Sequence, residues 1–214
     1  MIGRDLRILA WCGVAAPLIY AVAVVAGGAS IPGYDHIRDP ISSLTEAGRS
    51  GVAWIQFLFG IYNLLVAIFG MWALATFRHA VRWCIAFGLL VLTAVCGVLM
   101  WPFAQDPIGT PATVPGVVHI VLAAIESLAT IAIVGLSLAA FRAGGQRRLS
   151  WFSATCLAVI VFSGVVTAAA TAGQWPMMGL FERLTIGAFE VWLAGIALHL
   201  ALPPGWLVAD RSGA

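Results

Sequence analysis

Six apolar runs, each long enough to cross a lipid bilayer, leave this chain few ways to fold. They lie near 8–29, 52–75, 83–101, 116–141, 151–172 and 183–202. A hydrocarbon core about 30 Å thick needs about 20 helical residues to cross it. Lipid offers the backbone no hydrogen-bond partner, so only helices and closed barrels span it. Barrel strands read as alternating segments of about ten residues. These runs are continuous and far longer. The expected class is all-α: a polytopic membrane protein whose six transmembrane helices form three hairpins. One transmembrane domain over residues 1–214 is expected, ending in a short tail at 203–214.

Composition agrees. Hydrophobic residues make up 62% of the chain and charged residues 9%, against roughly 25% charged in a soluble domain. A net charge of +2 with no basic stripe argues against nucleic acid as a partner. No P-loop, dinucleotide fingerprint, haem motif or iron–sulfur spacing is present, so no cofactor is expected. Cys12, Cys84, Cys96 and Cys156 sit singly inside apolar runs and read as small core residues.

Orientation follows from arginines near the span ends. Arg4, Arg7, Arg78, Arg82, Arg142, Arg147, Arg148 and Arg211 fall on one side, and Arg38, Arg49 and Arg183 on the other. The excess places both termini in the cytoplasm. Trp83 and Trp151 at the inner side, with Trp101 and Trp175 at the outer, fit aromatic belts. The first run has a signal-peptide flavour, with Arg4, Arg7 and then Gly28-Ala29-Ser30. It is longer than an ordinary signal core of 7–15 residues, so a retained first helix is expected.

The even helices repeat a spacing. Gln56 and Asn63, His119 and Glu126, and Arg183 and Glu190 are each seven residues apart. Seven residues are two helical turns, which puts each pair on one face about 10 Å apart. Asn63, Glu126 and Glu190 then lie roughly 11–16 Å from the outer ends, near the bilayer middle. A carboxylate there costs at least about 2.5 kcal/mol and marks a functional candidate. Hydrogen-bonded or protonated glue between helices is the other reading. Along the fifth run, Gly164, Ala168 and Ala172 form a small-residue stripe, with Ser163, Thr167 and Thr171 beside it. Both read as packing.

Loop one is long and carries Asp35, His36, Arg38, Asp39, Ser42, Ser43, Thr45 and Glu46. Long loops are often functional, and the Ser42–Glu46 segment also reads as a helix cap. Loop three holds Asp106 ahead of His119. Arg183 is expected either to pair with Glu182, Glu190 or a loop acid, or to reach lipid phosphate. His119 reads as a hydrogen-bonded core residue. A metal site is not expected, because only His36 accompanies it on the outer side.

Asp39-Pro40-Ile41-Ser42-Ser43-Leu44 with Gly48, Trp101-Pro102-Phe103 with Asp106, Gly116 with His119, and Gly179-Leu180-Phe181-Glu182-Arg183 occur in this order. The set resembles the prokaryotic integral-membrane family labelled "domain of unknown function 998" over about 10–200. Trp-Pro-Phe and a longer gap to Asp106 depart from that family's spacing. The resemblance implies six helices, a prokaryotic cell (inner) membrane and an outward-facing motif set. It implies no activity.

Three functions fit. The chain binds or transports a lipid or small amphiphile through an outer pocket built from Asp39, Ser42, Asn63, Asp106, His119, Glu126, Glu182, Arg183 and Glu190. Alternatively it is a lipid hydrolase or transferase with Ser42 as nucleophile, His119 as base, Asp106 as orienting acid and Arg183 as clamp, although no nucleophile elbow is present. Or it is a non-catalytic assembly factor for a membrane-protein partner that the sequence does not identify.

Overall fold

A computed structural model of the chain describes residues 4–173 and 175–202. The helices are α1 Ala10–Ser30, α2 Ala53–Thr76, α3 Val81–Leu99, α4 Val114–Ala143, α5 Arg147–Gly173 and α6 Met178–Ala201. Among the described residues there is no strand, and all six helices are long and apolar enough to cross a membrane. The protein is a multi-pass membrane protein. The tail expected over 203–214, with Arg211, lies outside the described residues, as does the side chain of Arg4.

Two helix boundaries depart from the hydropathy reading. α5 starts at Arg147 rather than near 151. Arginine interrupts an apolar window yet is a good helix former. α6 starts at Met178, five residues ahead of 183. Pro176 ends the preceding segment, so the Gly179–Arg183 motif builds the first turns of α6 instead of a loop. The turn at 144–146 is a Schellman closure: Gln146 N–H donates to the Phe141 carbonyl at 2.9 Å and Gly145 N–H to that of Arg142 at 3.2 Å. Gly145 stands at φ 70°, a conformation that suits glycine.

Each helix packs on its neighbours in sequence, and α1 packs on α6, which closes a ring. The contacts run across the expected hairpin boundaries as well as within them. The outside of the ring is apolar. Leu18, Val22 and Val25 on α1, and Phe57, Leu64 and Met71 on α2, recur at helical spacing and are exposed. Water would not tolerate such a surface; lipid does.

The inside is filled in two separate clusters. The larger takes Phe69 and Trp72 from α2, Phe87 from α3, Ile133 from α4, Ile160 from α5 and Trp192 from α6. Gly13 admits α1 to it, because a Cβ there would stand 2.7 Å from Ala197 Cβ and 2.8 Å from the Phe69 ring. Trp83, expected in an aromatic belt, instead packs its ring on Phe87, with centroids 5.5 Å apart, while Trp101, Trp151 and Trp175 are exposed. The smaller cluster joins Val24, Val52 and Ile55 to Ile41 and Leu44 of loop one.

On α5, Ser163, Thr167 and Thr171 each return a hydroxyl bond to the carbonyl four residues earlier, those of Val159, Ser163 and Thr167. Ser163 also meets Thr185 of α6 at 2.8 Å.

Candidate functional site

Loop one lies across one end of the ring, and most of the motif residues hold it there. Ile41–Thr45 forms a short 3-10 turn. Ile41 and Leu44, three residues apart, put their side chains into the smaller cluster, with Leu44 fully buried. Burial of two such side chains contributes on the order of 3–6 kcal/mol. The segment expected to cap a helix is therefore itself a buried turn, because its apolar residues win over its hydroxyls. Ser43 closes the turn locally by donating to the Pro40 carbonyl at 2.8 Å.

Loop one also supplies the missing acceptors at the start of α6. Gly179 N–H donates to the Arg38 carbonyl at 3.3 Å and Leu180 N–H to that of Ile37 at 2.9 Å. First-turn N–H groups have no partner within their own helix. A Cβ at Gly179 would run into the Asp39 carbonyl, so the glycine is what lets the two backbones touch. Glu182 accepts from Ile41 N–H at 2.6 Å.

Arg183, expected to pair with an acid or to reach lipid phosphate, forms no ion pair among the described residues. Its guanidinium instead donates to the Asp39 carbonyl at 2.9 Å, to the Gly179 carbonyl at 2.8 Å and to the Tyr34 hydroxyl. It also sits over the Tyr34 ring, 5.6 Å from the centroid. The Asp39 carboxylate pairs with Arg38 at 2.7 Å, and that guanidinium holds its carboxyl below the usual range.

Loop three is tied in beside it. Ala47 N–H donates to the Gln105 carbonyl at 2.8 Å, and Ser42 donates to the Gln105 side chain. Asp106 accepts from Thr113 N–H at 2.8 Å and Thr113 hydroxyl at 2.7 Å. These bonds lower its pKa and steady the N-cap of α4, where Thr113 accepts from Gly116 N–H. A Cβ at Gly116 would collide with the Asp106 carboxylate. His119 Nδ1 donates to the Phe103 carbonyl at 2.9 Å. Among the described residues, no hydrogen bond joins Ser42, His119 and Asp106 to one another. Each of the three is instead bonded to another partner: Gln105, Phe103 and Thr113 respectively for Ser42, His119 and Asp106.

A second group lies deeper. Tyr20 is ten residues from the α1 end, Asn63 ten from the α2 start, and Glu126 and Glu190 twelve from the starts of α4 and α6. At about 1.5 Å per residue, all four sit roughly 15–18 Å below the capped end. They form one polar layer between the two apolar clusters. The Tyr62 hydroxyl donates to Glu190 Oε1 at 2.6 Å. Tyr20 packs on Tyr62, with ring centroids 4.9 Å apart. Asn63 donates to the Phe59 carbonyl at 2.9 Å, and its amide lies where a Cβ at Gly97 would be. Glu126 is half-buried and within electrostatic reach of Glu190. Glu190 is only 7% exposed, and its Oε2 has no hydrogen-bond partner among the described residues.

Asn63, Glu126 and Glu190 are thus brought to one level, while Ser42, Asp39, Asp106, His119, Glu182 and Arg183 belong to the cap. Sequence reasoning misses Tyr20, Tyr62 and Gly97 in the layer, and Tyr34, Gln105 and Thr113 in the cap. Tyr62 had a usable signal: a buried tyrosine hydroxyl seeks a partner, and a lone acid in an apolar span is the obvious one.

Comparison with curated proteins and with solved structures finds no match. A family model does match, over residues 14–199, and the chain belongs to that family, described as a protein of unknown function (DUF998).

Proposed function

We propose that the protein binds a small amphiphile or lipid whose polar head reaches the layer of Tyr20, Tyr62, Asn63, Glu126 and Glu190. The observation that carries this reading is the Glu190 carboxyl, buried among helices with one oxygen unpartnered. A buried acceptor without a donor costs about 1–3 kcal/mol. Replacing buried ionisable groups with well-packed apolar side chains is often neutral or stabilising. A head bearing a hydrogen-bond donor or a positive charge would complete Glu190, and an apolar tail would suit the lipid-rich surroundings.

The reading places the layer in a prokaryotic cell membrane, with both termini cytoplasmic and loop one outside, on the balance of arginines. Loop one is then the cover through which, or beside which, the ligand enters. Binding is preferred to hydrolysis because Ser42, His119 and Asp106 are each engaged by a different structural partner: Gln105, Phe103 and Thr113.

The test is mass spectrometry of small molecules retained by gently purified protein, wild type beside Glu190→Gln and Glu126→Gln. One defined molecule, present in the wild type and missing from a folded variant, supports the reading and names the ligand. Bulk lipid alone, identical in all three, contradicts it and leaves the layer as interhelical glue serving an assembly role.

A further inference from the structure

The opposite end of the ring carries a second feature, independent of the polar layer. A depression of about 260 Å³ opens at the turn between α4 and α5, lined by Arg142, Gly145, Arg147, Ser150 and Trp151. No Asp or Glu occurs between Glu126 and Glu182 in the sequence, so this stretch is purely basic. Among the described residues, neither Arg142 nor Arg147 is in an ion pair. Ser150 is only 8% exposed, and its hydroxyl is buried without a hydrogen-bond partner among the described residues.

We propose that this depression is a binding site for a phosphate group. Three features converge on an anion. Two arginines, Arg142 and Arg147, are among its lining residues, and the planar fork of a guanidinium suits phosphate oxygens. The first turn of α5 points its positive end there. Ser150 is among the lining residues, and its buried hydroxyl is a donor that lacks an acceptor among the described residues. The carbonyls of Phe141 and Arg142 at the end of α4 would repel an anion, and the Schellman closure occupies both. Trp151 is 65% exposed beside the depression, where an indole settles at headgroup level. The phosphate belongs either to a lipid headgroup or to a free small anion.

Two probes separate these sources. Inorganic phosphate is titrated against the melting of the detergent-purified protein, and short-chain phosphatidic acid is followed as bound adducts in native mass spectra. The variants are Arg142→Gln/Arg147→Gln and, as an equal loss of charge at the neighbouring turn, Arg78→Gln/Arg82→Gln. The site predicts roughly tenfold weaker binding in the first, from loss of two charge-assisted contacts, and near wild-type binding in the second. Stabilisation by inorganic phosphate supports the site and assigns a free anion; adducts of phosphatidic acid alone support it and assign a lipid headgroup. Equal binding in wild type and Arg142→Gln/Arg147→Gln, or equal loss in both variants, overturns the proposal. If the first double variant does not fold, Ser150→Ala decides. It removes no charge, so binding about threefold weaker supports the site, and unchanged binding refutes it.

Discussion

The cap and the polar layer draw on the same side-chain types to opposite effect. In the cap, Glu182, Arg183, Asp106, His119 and Ser42 each reach a named partner, several of them backbone. The one buried atom these five leave unpartnered among the described residues is Arg183 Nε, on a guanidinium whose other nitrogens are bonded. In the layer, Glu190 keeps an unpartnered oxygen while bonded to Tyr62 and within electrostatic reach of a second glutamate, Glu126. A buried polar group left incomplete calls for an explanation, and in the layer that group is a carboxyl oxygen on a side chain that is only 7% exposed. On the proposed reading, the motif residues are not the ligand residues. Its most distinctive sequence segments stitch loop one across the ring, and the chemistry-bearing layer lies below them.

The sharpest way to break this division is at the cap's closest approach. Gly179→Ala would drive a Cβ into the Asp39 carbonyl, separating loop one from α6 at a cost of about 2–3 kcal/mol. Limited proteolysis within residues 33–39 should then become much faster than in wild type; unchanged cleavage would show that loop one does not depend on this contact. Arg183→Gln comes next. It strips two carbonyls and the Tyr34 hydroxyl of their donor, at about 2 kcal/mol. A drop in Tm of about 4–8 °C should follow, with Glu190 and its neighbours still in place. A variant that melts like wild type but loses its ligand would move Arg183 from the cap to the binding layer.

A smaller effect comes from pH. Asp39, beside Arg38, and Asp106, bonded by Thr113, both have pKa values lowered from an ordinary 3.8. A carboxyl lowered on folding stabilises the fold above its ordinary value, and that contribution is lost as pH falls below it. Acidification below about 3.8 should loosen the cap, read as faster cleavage of loop one. Asp106→Asn should weaken that pH dependence and leave neutral-pH cleavage of loop one close to wild type. A pH response unchanged by the substitution would remove Asp106 from the account.

Much of the bundle is legible in the sequence, because lipid imposes a length and a composition on each helix. Asn63, Glu126 and Glu190 are legible too, since a polar residue in an apolar run is expensive and has to face inward. The beginning of α6 is not, because hydropathy windows discount a stretch that runs into Glu182 and Arg183 even when Pro176 marks the break. Tyr20 and Tyr62 are hidden because tyrosine is ordinary in a membrane span; only their shared level with Glu190 gives them meaning. Ser42, His119 and Asp106 look like a catalytic set on residue type alone. Their actual partners, Gln105, Phe103 and Thr113, depend on how loops one and three fold over one another, which spacing does not encode.

The measurement closest to the central claim is the melting temperature of Glu190→Gln beside wild type in the same detergent, both first stripped of bound small molecules, since a retained ligand would itself raise the wild-type Tm. The substituted side chain would still accept the Tyr62 hydroxyl through its amide oxygen. A layer kept for a ligand predicts a Tm within about 2 °C of wild type, below the shift that a loss of about 1 kcal/mol brings at this size. A Tm lower by several degrees, on the scale of Arg183→Gln, would mean that Glu190 is structural glue like the cap and that the division drawn between the two regions is wrong.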